Sequence, residues 1–209
     1  MPTPVRLQVA TSNPGKLREY RVLASAASMQ EAIQIDSIPG FSELPTFYES
    51  APTFAENSAG KAIHFSRFTS EAVIADDSGL VVPALDGAPG VRSARYAGPH
   101  ATDADRVRKL LAEMKGKSGS ERRARFVCVL TLAREGRAIA ILSDSVEGTI
   151  AEEARGTAGF GYDPIFYFPQ LARTYAEISS EQKNEISHRG RAFRKLLAFL
   201  CEPGAHQFT

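Results

Sequence analysis

Short apolar runs alternate along this chain with segments whose apolar residues recur every three or four positions. That alternation predicts an α/β fold, with strands and helices in turn. Val5 to Ala10 reads as a strand ending at Thr11-Ser12-Asn13-Pro14-Gly15-Lys16. From about Lys16 to Ser28, Leu17, Tyr20 and Leu23 or Ala24 share one helical face. Ile33 to Ile38 is the next strand, closed by Pro39-Gly40, and Phe41 to Pro52 reads as a loop. A helix starts after Pro52: Thr53 and Glu56 fit a capping box, and Phe54, Ala59, Ala62, Ile63 and Phe65 supply its apolar stripe.

Ala72 to Ala75 is a short strand running into Asp76-Asp77-Ser78-Gly79. Leu80 to Leu85 could continue it, with Pro83 confining it to an edge or a bulge. Asp103 to Met114 is a helix with acids early and lysine late, as the helix dipole favours. Lys115 to Glu121 is a polar loop. Arg125 to Ala133 and Arg137 to Ser143 read as a hairpin, and Val146 to Ala151 extends the sheet. Gly156 to Pro164 reads as a loop and Ile165 to Phe168 as a strand. A last helix is predicted from about His188 to Cys201, before Pro203-Gly204, with a flexible tail from Gly204 to Thr209.

Composition narrows the choice. With 209 residues, 43% hydrophobic and 23% charged, the chain can bury a core as one domain or as two lobes sharing one. Lys plus Arg is 25 and Asp plus Glu 24. A net charge of +1 argues against a general nucleic-acid binder and still leaves room for a local basic pocket. Cys128 and Cys201 form no CxxC, and no zinc-ligand spacing occurs, so a reducing compartment fits. The amino-terminal MPTPVRLQVA lacks a signal peptide's apolar region, and stretches such as Ala138 to Leu142 are too short to span a membrane. A cytoplasmic location with no membrane attachment is expected.

Five groups of residues carry candidate chemistry. Thr11 to Lys16, between a strand and a helix, offers hydroxyls, helix-start N–H groups and a lysine to an anion. An N-cap beside a solvated lysine would explain the same residues. Asp76-Asp77-Ser78 places two acids at a strand end, where they need water or a cation; hard oxygen ligands suit Mg²⁺, and a carboxylate can take a proton from water. A plain Asp-Ser-Gly turn is the bland alternative. Asn57 and Lys61 share a helix face near Glu49. Glu56 has a capping role, which leaves Glu49 the better metal-ligand candidate, although each could be a solvated surface residue. Gly159-Phe160-Gly161-Tyr162-Asp163-Pro164 offers an aromatic face to a planar ligand and a carboxylate to a ring N–H, or else an aromatic turn packed on the core. Lys183, His188 and Arg189 are cations around a helix start, and cations there need an anion or an acidic neighbour unless solvated.

Taken together, the order Thr11-Ser12-Asn13-x-x-Lys16, Phe54-x-Glu56-Asn57-x-x-x-Lys61-Ala62, Asp76-Asp77-Ser78-Gly79-Leu80, Gly87-Ala88-Pro89-Gly90-x-x-Ser93-Ala94-Arg95-Tyr96, Phe160-Gly161-Tyr162-Asp163-Pro164 and Ser187-His188-Arg189 resembles the inosine triphosphate pyrophosphatase family, also called dITP/XTP pyrophosphatases. The likeness runs from about residue 5 to residue 200. It implies two lobes around a long mixed β-sheet flanked by helices, a nucleotide cleft between the lobes, and a single two-lobed domain over residues 1–209. It implies a homodimer and Mg²⁺-dependent cleavage of ITP, dITP and XTP between the α- and β-phosphates.

By the same resemblance, Thr11, Ser12, Asn13, Pro14, Gly15 and Lys16 cradle phosphates, and Lys61, Arg95 and Lys183 add positive charge. Glu49 and Asp77 bind the metal, and Asp77 activates water. Ser78 contacts substrate, Phe160 stacks on the base, Gly161, Tyr162 and Asp163 shape its pocket, and His188 and Arg189 read its edge. Two positions depart from the family pattern: Pro83 stands where an acid is frequent, and Arg92 where an aromatic is. Neither removes a catalytic group, so activity with altered affinity is expected. A Maf-like pyrophosphatase for modified pyrimidine nucleotides and a non-hydrolytic nucleotide-binding protein are the competing readings.

Overall fold

Local signals start each element, and the sheet assembles them. The computed structural model describes residues 5–26 and 33–202; the predicted helix end at Ser28 and the tail from Gly204 lie outside them. Val5–Val9 forms β1, and Pro14–Ala26 forms α1. Asn13 starts α1: its Oδ1 accepts from the N–H of Gly15 at 2.8 Å and of Lys16 at 3.3 Å, and Pro14 takes the first helical position, where its missing N–H costs nothing. Ile33–Ser37 is β2, Phe54–Phe65 is α2 and Ala72–Val81 is β3. Asp103–Glu113 is α3, Arg123–Arg134 is β4 and Arg137–Ile150 is β5, with the two-residue turn Glu135-Gly136 between them. Phe166–Phe168 is β6, Arg173–Thr174 is β7, Ser180–Ile186 is α4 and His188–Leu200 is α5.

The strands form one mixed sheet in the order β2-β1-β3-β4-β5-β6-β7. β1 runs parallel to β2 and to β3, with Val9 opposite Ser37 and Ile74; β5, β6 and β7 are antiparallel. The chain divides into two compact units. The first holds residues up to 77, 128–144 and those from 189; the second holds 78–127 and 145–188.

Each unit has its own core. In the first, Leu7, Val9 and Ile74 share a buried cluster with Tyr20 and Leu23 of α1 and Phe193 and Leu196 of α5. Ala10, Val73 and Ala75, at alternate strand positions, pack instead with Ala62 and Phe65 of α2. The second core is aromatic: Phe126, Phe166, Phe168 and Tyr175 pack with Leu80 and Leu110.

Several expectations are corrected. The acids do not end a strand, because β3 runs through them from Ala72 to Val81 and is buried almost throughout. Leu80 to Leu85 does not stay extended; Pro83–Leu85 is a 3-10 turn that Pro83 starts with its fixed φ. The predicted strand Val146 to Ala151 is the end of β5, which stops at Ile150. α3 ends at Glu113, so its last turn carries no lysine. Ser180–Ile186, not expected to be helical, forms α4, started by a reciprocal Ser179/Gln182 capping box. The Thr53/Glu56 box is half formed: Thr53 Oγ1 accepts from Glu56 N at 3.2 Å and donates to the Glu56 carboxylate at 2.6 Å.

Candidate active site

In the first unit, the chemistry gathers beyond the carboxyl end of β1, where open α/β sheets place their ligands, and midway along β3. β1 delivers Thr11 to Lys16, and its parallel neighbour β3 delivers Asp76 and Asp77. Lys16 Nζ lies 3.0 Å from Asp76 Oδ2. Arg189 reaches the same oxygen at 3.3 Å and also pairs with Glu19. Lys61 Nζ donates to the Asp76 carbonyl at 2.7 Å and pairs with Glu49. Asn57 donates to Asp77 Oδ2 at 2.9 Å. The Lys16 reading as a solvated lysine is therefore corrected: Asn13 does cap the helix, and the lysine beside it is 16% exposed and ion-paired.

The two adjacent acids sit in opposite electrostatic settings. Burial alone would raise the Asp76 carboxyl, but Lys16, Arg189 and Lys61 outweigh it and hold it well below the usual carboxylate range. Asp77 is raised to about 6, first by burial and then by the charge of Glu49, against the Asn57 hydrogen bond and the two lysines. Asp76 is thus a fixed anion, and Asp77 is poised to exchange a proton near neutral pH.

Lys16, Lys61 and Arg189 meet Glu19, Glu49, Asp76 and Asp77 here. The charge of Glu49 acts on Asp77, and a divalent cation would offset that repulsion. No group of three or more His, Cys, Asp or Glu able to hold a metal occurs among the described residues. Mg²⁺ does not need one, since it binds through one or two carboxylates and fills its octahedron with water and phosphate oxygens. Glu49 and Asp77 fit that demand.

In the second unit the setting is different. Lys183, in α4, is 4% exposed and donates to Asp163 Oδ2 at 2.5 Å. Its ammonium lies 4.7 Å from the Phe160 ring centroid, a cation–π distance. The loop is fixed by its own acids: Phe160 N donates to Asp163 Oδ2 at 2.8 Å, and Gly161 N to Asp103 Oδ2 at 2.7 Å. Gly159, at φ 77°, allows the first of these; a Cβ there would lie 2.0 Å from Asp163 Oδ2. Tyr162 donates to Ser93 O at 2.9 Å. His188 stacks on Phe126 with centroids 4.7 Å apart. Arg95 is exposed on the turn Gly90–Arg95.

The structure thus brings Lys16, Glu49, Lys61, Asp77 and Arg189 into one connected set, and Phe160, Asp163 and Lys183 into another. Sequence reasoning missed Glu19 and Asp103. Glu19 lies on the face of α1 that buries Tyr20 and Leu23, and a carboxylate on an apolar helix face is itself a signal of a hidden cation. Asp103 was readable only as a helix-start acid.

Fold and site together define an α/β protein with a mixed seven-stranded sheet, an acid–lysine centre in its first unit and an aromatic–lysine one in its second. The chain belongs to the Ham1 family, whose sequence pattern matches residues 7–199. It is 47% identical over 188 residues to the dITP/XTP pyrophosphatase of Geobacillus kaustophilus, covering 90% of each chain. To the dITP/XTP pyrophosphatase of Desulforamulus reducens it is 43% identical, covering 97% of this chain and 99% of the other. The solved structure of a HAM1 protein from Coxiella burnetii superposes with a TM-score of 0.82 at 42% identity, over 95% of this chain and 100% of that one.

Proposed function

We propose that this chain hydrolyses deaminated purine nucleoside triphosphates, ITP, dITP and XTP, to the monophosphate and pyrophosphate. The observation that carries the mechanism is the contrast between Asp76 and Asp77 beside Lys16 and Lys61. Asp77, held by Asn57, takes the proton of a water that attacks the α-phosphorus. The bond from that phosphorus to the α–β bridging oxygen breaks, and pyrophosphate leaves. Lys16, Lys61, Arg95 and the Thr11–Gly15 segment bind and orient the phosphates. Glu49 and Asp77 would hold Mg²⁺, which would supply the charge neutralisation that phosphoryl transfer needs.

The base is assigned to the second unit, with Phe160 stacking, Ser78 in contact, and Gly161, Tyr162 and Asp163 shaping the pocket. Lys183, expected from the resemblance to serve the phosphates, is held by Asp163 against Phe160, so we place its charge beside the base. His188 and Arg189 are the donors proposed for the base edge; the same guanidinium ties Asp76 and Glu19. Donors matched to a purine oxygen are left unpaired against the amine of adenine, a mismatch that discriminates by about 10⁴-fold. Pro83 and Arg92 change affinity rather than chemistry in this reading. A homodimer, to be checked by light scattering, and a cytoplasmic location complete the proposal; no helix among the described residues is long and apolar enough to cross a membrane.

The test is ³¹P NMR of the products formed from ITP, ATP and dTTP with Mg²⁺. IMP and pyrophosphate from ITP, with ATP nearly untouched, support the proposal. Orthophosphate would place the attack at a terminal phosphate. Preference for dTTP would favour the Maf-like reading, and no turnover the non-hydrolytic one.

A further inference from the structure

Helix α2 contains an interior glycine, Gly60, where alanine would be the better helix former. The neighbouring loop explains it. A Cβ at position 60 would lie 2.7 Å from Cζ and 3.2 Å from Cε2 of Phe47, so that ring rests on the helix backbone itself. Two further contacts fasten the same loop. His64 Nε2 meets the Pro45 carbonyl at 2.7 Å. The Asn57 amide accepts from Ala51 N at 2.9 Å and donates to Ala51 O at 3.2 Å. Asn57, Gly60, Lys61 and His64 are spaced i, i+3, i+4 and i+7, one stripe of α2. The remaining member, Lys61, pairs with Glu49 in the loop's middle.

The loop is thus tied at Pro45 and Ala51, seated at Phe47, and carries Glu49 between. Glu49 and Asp77 repel each other as like charges, and an unfastened loop would relax by swinging Glu49 away. We infer that Gly60, Phe47 and His64 are positioning residues that hold Glu49 against Asp77 and so set the affinity of this carboxylate pair for a divalent cation. The inference rests on the reading of Glu49 and Asp77 as metal ligands.

Gly60→Ala tests it, with Mn²⁺ as the probe. Three readouts apply: Mn²⁺ titration of the nucleotide-free protein by water-proton relaxation, hydrogen–deuterium exchange of the 45–51 segment, and thermal melting. The expected result is a Kd for Mn²⁺ raised about tenfold, faster exchange through 45–51, and a melting temperature that does not fall. Phe47→Ala should raise the Kd similarly, and the double variant no further, because the ring and its seat act as one unit. An unchanged Kd in Gly60→Ala, with or without faster exchange, overturns the inference; so does a melting temperature that falls while the Kd stays constant. Should the parent protein bind no Mn²⁺ while Gly60→Ala still quickens exchange, the metal reading is what fails, and the clamp has no cation to serve.

Discussion

Both units bury a lysine against an aspartate, and the two pairs do different things. In the second unit Lys183 and Asp163 cancel beneath the Phe160 ring. Their local charge is closed, which suits a flat, uncharged partner read by hydrogen bonds. In the first unit the Lys16–Asp76 pair belongs to a larger set that Arg189 extends to Glu19. Asp77 stands beside those ion pairs, and burial first and the charge of Glu49 second raise its carboxyl to about 6. A buried ion pair is thus no evidence of function by itself. What marks the first region as chemical is the group that its pairing leaves unsettled.

The sharpest way to break this contrast is to remove the unsettled charge. Asp77→Asn should lower kcat on ITP by about 10²–10⁴-fold, the usual range for loss of a general base, as followed by pyrophosphate release. Unchanged turnover would remove Asp77 from the mechanism.

Next in size is the fixed acid. Arg189→Met takes the guanidinium from Glu19 and Asp76, both buried, while Lys16 still pairs with Asp76. Breaking a buried pair from one side costs about 3–5 kcal/mol, so urea unfolding should move by that amount.

The third prediction concerns pH. Folded, Asp77 keeps its proton up to about 6, whereas its ordinary value is 3.8. Between those values the folded state binds more protons than the unfolded chain, so stability falls as pH rises through the window and stays lower above it. Asp77→Asn lacks that loss and should be more stable than the parent at pH 7 by about 2–3 kcal/mol, with no advantage near pH 3.5. Thermal melts of both proteins across pH give the answer.

The smallest effect belongs to the closed region. Phe160→Ala should weaken base stacking by about 1–3 kcal/mol, seen as a rise in KM for ITP with kcat largely retained.

The same contrast explains what the sequence disclosed. The capping acid Glu56 and the Asn13-Pro14 helix start were legible because their partners lie within a turn. The fate of Asp76 was not. Its partners stand 60 residues before it at Lys16 and 113 after it at Arg189, and only the sheet brings them together. A strand that runs through two acids contradicts local propensity, and distant cations make it possible. Lys183 was legible as a functional cation but not as a partner of Asp163, and α4 escaped a reading that began its last helix at His188, where α5 does begin. The aromatic loop was readable because Gly159 and Gly161 punctuate it; that Asp103 would hold Gly161 was not, for want of any local trace.

The central claim, that phosphates belong to the acid–lysine region and the base to the aromatic one, is tested most directly by ¹H–¹⁵N NMR titration of the protein with inosine alone and with Mg²⁺-pyrophosphate alone. The account predicts that inosine shifts the amides around Phe160 to Asp163 and Lys183 and leaves Thr11 to Lys16 unmoved, while Mg²⁺-pyrophosphate does the reverse. Both ligands perturbing one and the same set, or the two sets exchanged, would contradict it.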